Sequence, residues 1–196
     1  MSRLYRVHPR YKLLVAMGWT ATAASAAVCI YSKKPAAQIT AATTLMGIGY
    51  GTIMNYINNV QEGKDHTAMF TDDKKPISEY EGSVTGALVV GPMYSWMVAF
   101  PAGLVLAAAC TGGNKSTTLP ASFGIKSCAI LLPCVLIVGE MVMPGLKKRI
   151  RRQPETYTPA QSCEMVVSNR RHAAYIGSIY FGGLLLLFIG MRRNWF

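Results

Sequence analysis

Acidic side chains are scarce in this chain. Nine Asp and Glu stand against twenty Lys and Arg, and no acid precedes Glu62. Charged residues of both signs make up 15% of the 196 positions, where an ordinary soluble domain carries about 25%. So little charge does not cover a water-facing surface. Histidine is also thin: His8, His66 and His172 lie too far apart for a histidine-box metal site. The five cysteines, Cys29, Cys110, Cys128, Cys134 and Cys163, form no CxxC and no Cys/His ligand spacing. That argues against a disulfide framework and a zinc site, and leaves them as small hydrophobes. The acids Glu62, Asp65, Asp72, Asp73, Glu79 and Glu81, with His66, miss the glycine and bidentate-Glu offsets of a calcium-binding loop. The run Gly112-Gly113-Asn114-Lys115-Ser116-Thr117 fails as a phosphate loop, because Asn114 separates glycine from lysine and no earlier glycine stands where the pattern needs it. With no Ser/His/Asp or Cys/His set either, no catalytic residue, metal or cofactor is expected, and the chain does not read as an enzyme.

Apolar sequence, by contrast, is plentiful. Hydrophobic residues make up 51% of the chain, gathered into five stretches at 12–31, 35–57, 82–110, 119–146 and 172–191. A hydrocarbon core of roughly 30 Å needs about 20 mostly apolar residues to cross it as a helix. Each stretch reaches that length. The expected fold class is all-α, a polytopic membrane protein of about five transmembrane helices. Residues 1–196 then form one membrane domain, with a polar loop at 58–81 and a basic connector at 147–158.

The basic residues sit at the ends of the apolar stretches, which suits lipid headgroups and excludes a nucleic-acid stripe. With the N-terminus on the inner side, the inner segments hold Arg3, Arg6, Arg10, Lys12, Lys64, Lys74, Lys75, Lys147, Lys148, Arg149, Arg151, Arg152, Arg170 and Arg171. The outer segments hold only Lys33, Lys34, Lys115, Arg192 and Arg193. The positive-inside rule therefore places the N-terminus in and the C-terminus out. Lys147, Lys148, Arg149, Arg151, Arg152, Arg170 and Arg171 are the expected headgroup anchors. Anionic lipids are thus expected partners, with bound phospholipid such as cardiolipin. The basic start and the Ala24-Ser25-Ala26 box mimic a cleaved signal, but a first span with its inner anchor is the simpler reading.

Local signals refine this picture. Ser32-Lys33-Lys34-Pro35 predicts a tight turn joining the first two spans. Gly47 with Gly51, and Gly82 with Gly86, stand four apart, the spacing at which helix backbones approach closely in lipid. Ala23 and Ala27 offer the same on the first span. Ser78 and Glu81 form a capping box, and Pro92 and Pro101 predict a kinked third span. Thr158-Pro159-Ala160-Gln161 reads as a helix start, so the last helix begins at Pro159, ahead of its apolar part. Lys126 and Glu140 are intramembrane charges on the fourth span, and such groups are functional candidates.

The glycine pairs Gly47/Gly51 and Gly82/Gly86, in a glycine-rich multi-span chain, resemble the family of mitochondrial inner-membrane translocases that also includes an accessory subunit of respiratory complex I. The resemblance covers little of the chain. That family has four spans against the five counted here, and no functional residue is carried over. It implies a non-catalytic accessory subunit of a large inner-membrane respiratory assembly, with other membrane subunits as partners. The residues leave two alternatives: a small channel or transporter with Glu140 in its path, or a structural membrane protein of a virus.

Overall fold

A peptide group unpaired in hydrocarbon costs several kcal/mol, so a chain this apolar closes its backbone hydrogen bonds within helices. The computed structural model describes residues 11–69, 84–113, 118–141, 144–146, 148 and 159–195. Its long elements are α1 (Lys12–Tyr31), α2 (Pro35–Met69), α3 (Val84–Thr111), α4 (Ala121–Met141) and α5 (Pro159–Arg192). No strand occurs among the described residues. Four helices are long and apolar enough to cross a membrane: α1, α3 from Ala87, α4 up to Val138, and α5 from Met165.

The boundaries follow local chemistry. At the α1–α2 turn the Ser32 amide donates to the Val28 carbonyl at 3.0 Å. The Gln38 side chain returns from α2 to the Ser32 carbonyl at 2.8 Å. Pro35 opens α2, where its missing N–H would have had no helical partner anyway. α2 does not end at residue 57 as the apolar run suggests; its backbone continues as helix to Met69. Gln61, Glu62, Lys64, Ala68 and Met69 favour that extension, which holds although Asn58, Asn59, Gly63, Asp65 and Thr67 are weak helix formers. The capping box at Ser78 and Glu81 lies outside the described residues. α3 runs unbroken through Pro92 and Pro101, and α4 through Pro133. α5 begins at Pro159, as its start signal predicts.

α2 falls short of the other four helices in apolarity, and it is the one they surround. Residues 39–44 are buried without interruption, so no face of that turn and a half meets the exterior. Its threonine hydroxyls between residues 40 and 52 are satisfied within the helix. Thr40, Thr43, Thr44 and Thr52 donate to the carbonyls four residues back at 2.8–2.9 Å. Such back-bonding leaves none of these four hydroxyls orphaned in a low-dielectric interior. The outer helices invert the pattern of a soluble protein. Leu13 and Ile30 on α1, Phe100 and Leu104 on α3, Ile130 and Ile137 on α4, and Ile176 and Leu187 on α5 all face outward. Apolar surface this continuous has lipid or protein as its surroundings.

Contacts fix the helix directions. Along α2 and α3 the pairs Thr40/Gly103, Gly47/Ala99, Gly51/Ser95 and Thr52/Gly91 run in opposite order, so these helices are antiparallel. α4 is parallel to α2, with Gly124 on Ile39 and Cys128 beside Thr43. α5 runs against both, pairing Arg170 with Asn58 and Glu140, and Phe188 with Phe123. α1 lies on α3 through Gly18 and Pro92. The chain therefore alternates direction at each helix, and the start of α1 and the end of α5 lie at opposite ends of the bundle. We refer to these as the Lys12 end and the Arg192 end.

Close approach is concentrated at the α2–α3 seam. A Cβ added at Gly47 would collide with Ala99, and one at Gly51 with Ser95. A Cβ at Gly91 would lie 2.5 Å from the Thr52 Cα, and one at Gly103 2.8 Å from the Thr40 carbonyl oxygen. The partner of Gly47 and Gly51 is thus the stripe Gly91, Ser95, Ala99, Gly103, spaced by fours on α3. Gly82 lies outside the described residues, and for Gly86 only the helical backbone is described. Ala23 and Ala27 are exposed; α1 packs through Gly18 and Ser25 instead. Gly49 has open space around it. Gly47→Leu is therefore expected to lower stability by about 1–3 kcal/mol through overpacking, while Gly49→Ala leaves it unchanged or slightly raised. Thermal unfolding in detergent measures both, and equal losses would contradict the seam.

Candidate functional site

At the Lys12 end three helices each bring one polar side chain to a common point. α2 supplies Asn58, α4 supplies Glu140 and α5 supplies Arg170. Arg170 Nε lies 2.8 Å from Glu140 Oε1, an ion contact in which the N–H is not aligned on the oxygen. Its Nη2 donates to Glu140 Oε2 at 3.4 Å, and its Nη1 donates to Asn58 Oδ1. The Arg170 side chain is 1% exposed and that of Glu140 39%. A guanidinium so deeply buried needs a carboxylate and a carbonyl-type acceptor to offset its lost hydration.

This revises the expected role of Arg170, which is not a headgroup anchor. α5 turns it inward, whereas its neighbour Arg171 is exposed. The reason is rotational. One residue is about 100° of helix, so adjacent arginines face different surroundings. His172 is exposed, with Nδ1 2.8 Å from the Ser168 carbonyl oxygen of its own helix. Lys148 is exposed, and Lys147, Arg149, Arg151 and Arg152 lie outside the described residues. Lys126 is exposed on α4, where its long stem can carry the ammonium toward the headgroups.

Beside the cluster opens a cleft of about 1290 Å³ between α3 and α5, floored by α2 and walled on one side by α4. Its polar end holds Asn55, Asn58, Arg170, Arg171 and Tyr175. Its deeper walls are Val98, Val105, Leu131, Val135, Ile179 and Leu186. Tyr50 also lines it, and its buried hydroxyl has no hydrogen-bond partner among the described residues. Glu140 is not part of the lining. No group of three or more potential metal ligands occurs among the described residues.

A second arginine, expected as an outer-segment charge, is built into the opposite end. Arg193 is 3% exposed. Its Nη1 donates to the Ala109 carbonyl at 2.6 Å and its Nη2 to the Gly112 carbonyl. These are unsatisfied acceptors at the C-terminus of α3, where the helix dipole is negative. The backbone aims Arg193 there. Asn194 takes a left-handed φ of 52°, and the Trp195 amide returns to the Gly190 carbonyl at 3.0 Å, closing α5 with a Schellman turn. Trp195 then stacks under the guanidinium at 5.2 Å.

These features define a class: an all-helical integral membrane protein built around a polar central helix. No family model, curated protein or solved structure matches the chain. Functional assignment therefore rests on its own residues.

Two expectations test the buried arginines. Glu140→Ala strands Arg170 and is expected to cost about 3 kcal/mol, the low end for a broken buried pair because Glu140 is partly solvated. Adding Arg170→Met should recover most of that loss, as thermal unfolding in detergent would measure. Arg193→Ala is expected to cost about 3 kcal/mol from two charge-assisted bonds. Arg193→Lys should recover less than half, since a single ammonium does not span both carbonyls.

Proposed function

We propose that this chain is a non-catalytic accessory subunit of a larger membrane complex, crossing the bilayer five times with its N-terminus inside and its C-terminus outside. The observation that carries the reading is the pairing of Glu140 with Arg170 and Asn58. The one intramembrane acid serves as a strut between three helices, and the surface left for others is apolar. A subunit recognised through its helices has that distribution. The alternating helix directions support five spans, because α1, α3 and α5 begin, and α2 and α4 end, at the Lys12 end. The segments rich in Lys and Arg all adjoin that end, which supports the orientation through the positive-inside rule.

The mitochondrial inner membrane, and a respiratory-chain assembly within it, is the compartment we propose. The reading draws on the basic, acid-free N-terminus and on the glycine resemblance. Other membrane subunits and anionic lipids are the proposed partners. A second reading, a small channel or transporter, draws on the cleft beside the cluster. It is the weaker one, because Glu140 points to Arg170 and does not line that space.

Extraction in mild detergent followed by native gel separation tests the proposal. Migration within a large, stable assembly, with the chain in the inner-membrane fraction, is expected. Migration as a lone monomer would remove the subunit reading. Solute or proton flux through proteoliposomes of the pure chain, lost in Glu140→Gln, would favour the transporter.

A further inference from the structure

The cleft between α3 and α5 is too large to be a packing defect and too ordered in its chemistry to be a generic gap. At about 1290 Å³ it exceeds the roughly 300–1,000 Å³ usual for small-molecule pockets. Its polarity is graded along the bundle axis. The Lys12 end carries Arg171, Asn55 and Tyr175, and the interior is mainly apolar, with Tyr50, Ser95 and Thr43 as its polar residues. From the level of Asn58 to that of Thr43 the floor runs fifteen residues of α2, about 22 Å at helical rise. One leaflet of hydrocarbon is about half of a 30 Å core, so the cleft is deep enough for acyl chains that start at the Lys12 end.

Charge decides what sits at the mouth. Arg170 is neutralised by Glu140, which leaves the exposed Arg171 as a net cation at the rim. Deeper in, the buried Tyr50 hydroxyl has no protein partner among the described residues. Gly182 and Gly183 of α5 line the cleft, and a Cβ added at either meets nothing within 4 Å. They keep room open in the cleft, whereas Gly47, Gly51, Gly91 and Gly103 bring α2 and α3 together.

We infer that this cleft holds one anionic phospholipid, with its phosphate against Arg171 and its acyl chains laid over Gly47 and Gly51 between α3 and α5. The site is distinct from the basic connector at 147–158. The seam glycines thus have two neighbours: α3 on one side and lipid on the other. The inference rests on the anionic-lipid partner proposed above and gives it a site, while it holds for the chain alone, without the larger complex.

The test is reconstitution of the full chain into vesicles of equal parts phosphatidylglycerol and phosphatidylcholine. Re-extraction in mild detergent then follows, with mass-spectrometric counting of the lipid retained. Retention of about one phospholipid per chain, favouring phosphatidylglycerol, is expected. Arg171→Gln should weaken phosphatidylglycerol retention about tenfold, the worth of one charge-assisted bond. Gly183→Leu should abolish retention of either lipid while leaving thermal unfolding of the delipidated chain unchanged. Gly182→Leu is the second filling variant should the first destabilise the fold. Equal retention of both lipids, no effect of Arg171→Gln, or full retention in the filled variants would overturn the inference. So would recovery of an isoprenoid quinone, or a cross-linked partner helix, from the cleft.

Discussion

The bundle depends on hiding a helix that does not belong in lipid. α2 carries threonine, asparagine and glycine where its neighbours carry leucine, isoleucine and valine. Its threonine hydroxyls turn back onto their own backbone, so the stretch packed against α3 presents little that needs an outside partner. That neutrality lets α3 lie against it across side chains no larger than serine and alanine at Gly47 and Gly51. In lipid the hydrophobic effect gives no reason for helices to associate, and close van der Waals fit must supply it. Among the described residues, the inter-helix hydroxyl bond at the seam runs from Thr40 to the Gly103 carbonyl at 3.3 Å and is long. Packing is therefore the larger contribution there.

α5 then fastens the bundle at both ends with buried arginines that do opposite things. Arg170 meets a carboxylate and an amide from two other helices; Arg193 meets the bare carbonyls that end α3. Twenty-three residues separate them, about 34 Å of helix, close to the 30 Å hydrocarbon thickness. Each guanidinium thus sits near a boundary where water is close enough to soften the desolvation cost. Its partners nevertheless lie inside the protein. Arginine suits both ends because its planar, five-donor head satisfies two acceptors at once.

Much of this architecture was legible in the order of residues. The ends of α1 follow from Lys12 and the Ser-Lys-Lys-Pro turn, and the start of α5 from Thr158-Pro159. Gly47 and Gly51 stand out by spacing alone. The rest was hidden for physical reasons. Which stripe receives those glycines depends on register, and Gly91, Ser95, Ala99 and Gly103 read as four unrelated small residues until the helices are laid together. A cluster of basic residues at a span end gives no sign of which arginine turns inward, because that is set by about 100° of helix rotation. Glu140 gave the missing hint for Arg170: a lone acid near the end of a span needs a cation, and α5 carries two at the same depth. Arg193 had no such signal, since its acceptors are main-chain atoms that every residue possesses.

The difference between four apolar helices and the five spans proposed has the same origin. Hydropathy ranks a helix by the free energy of moving it from water into hydrocarbon. That is the right reference for α1, whose faces are mostly outward, and the wrong one for α2, whose surroundings at residues 39–44 are other helices. A threonine bonded to its own backbone is indifferent to whether an alanine or a methylene lies beyond it. An inner helix is free to be polar in composition so long as it is apolar in what it leaves unsatisfied. Its direction, opposite to α3 and α5 and parallel to α4, is what an alternating chain requires of it. Were α2 to lie outside the bilayer, α1 and α3, which run the same way, would have to be joined by a return path across the membrane that α2 itself already provides.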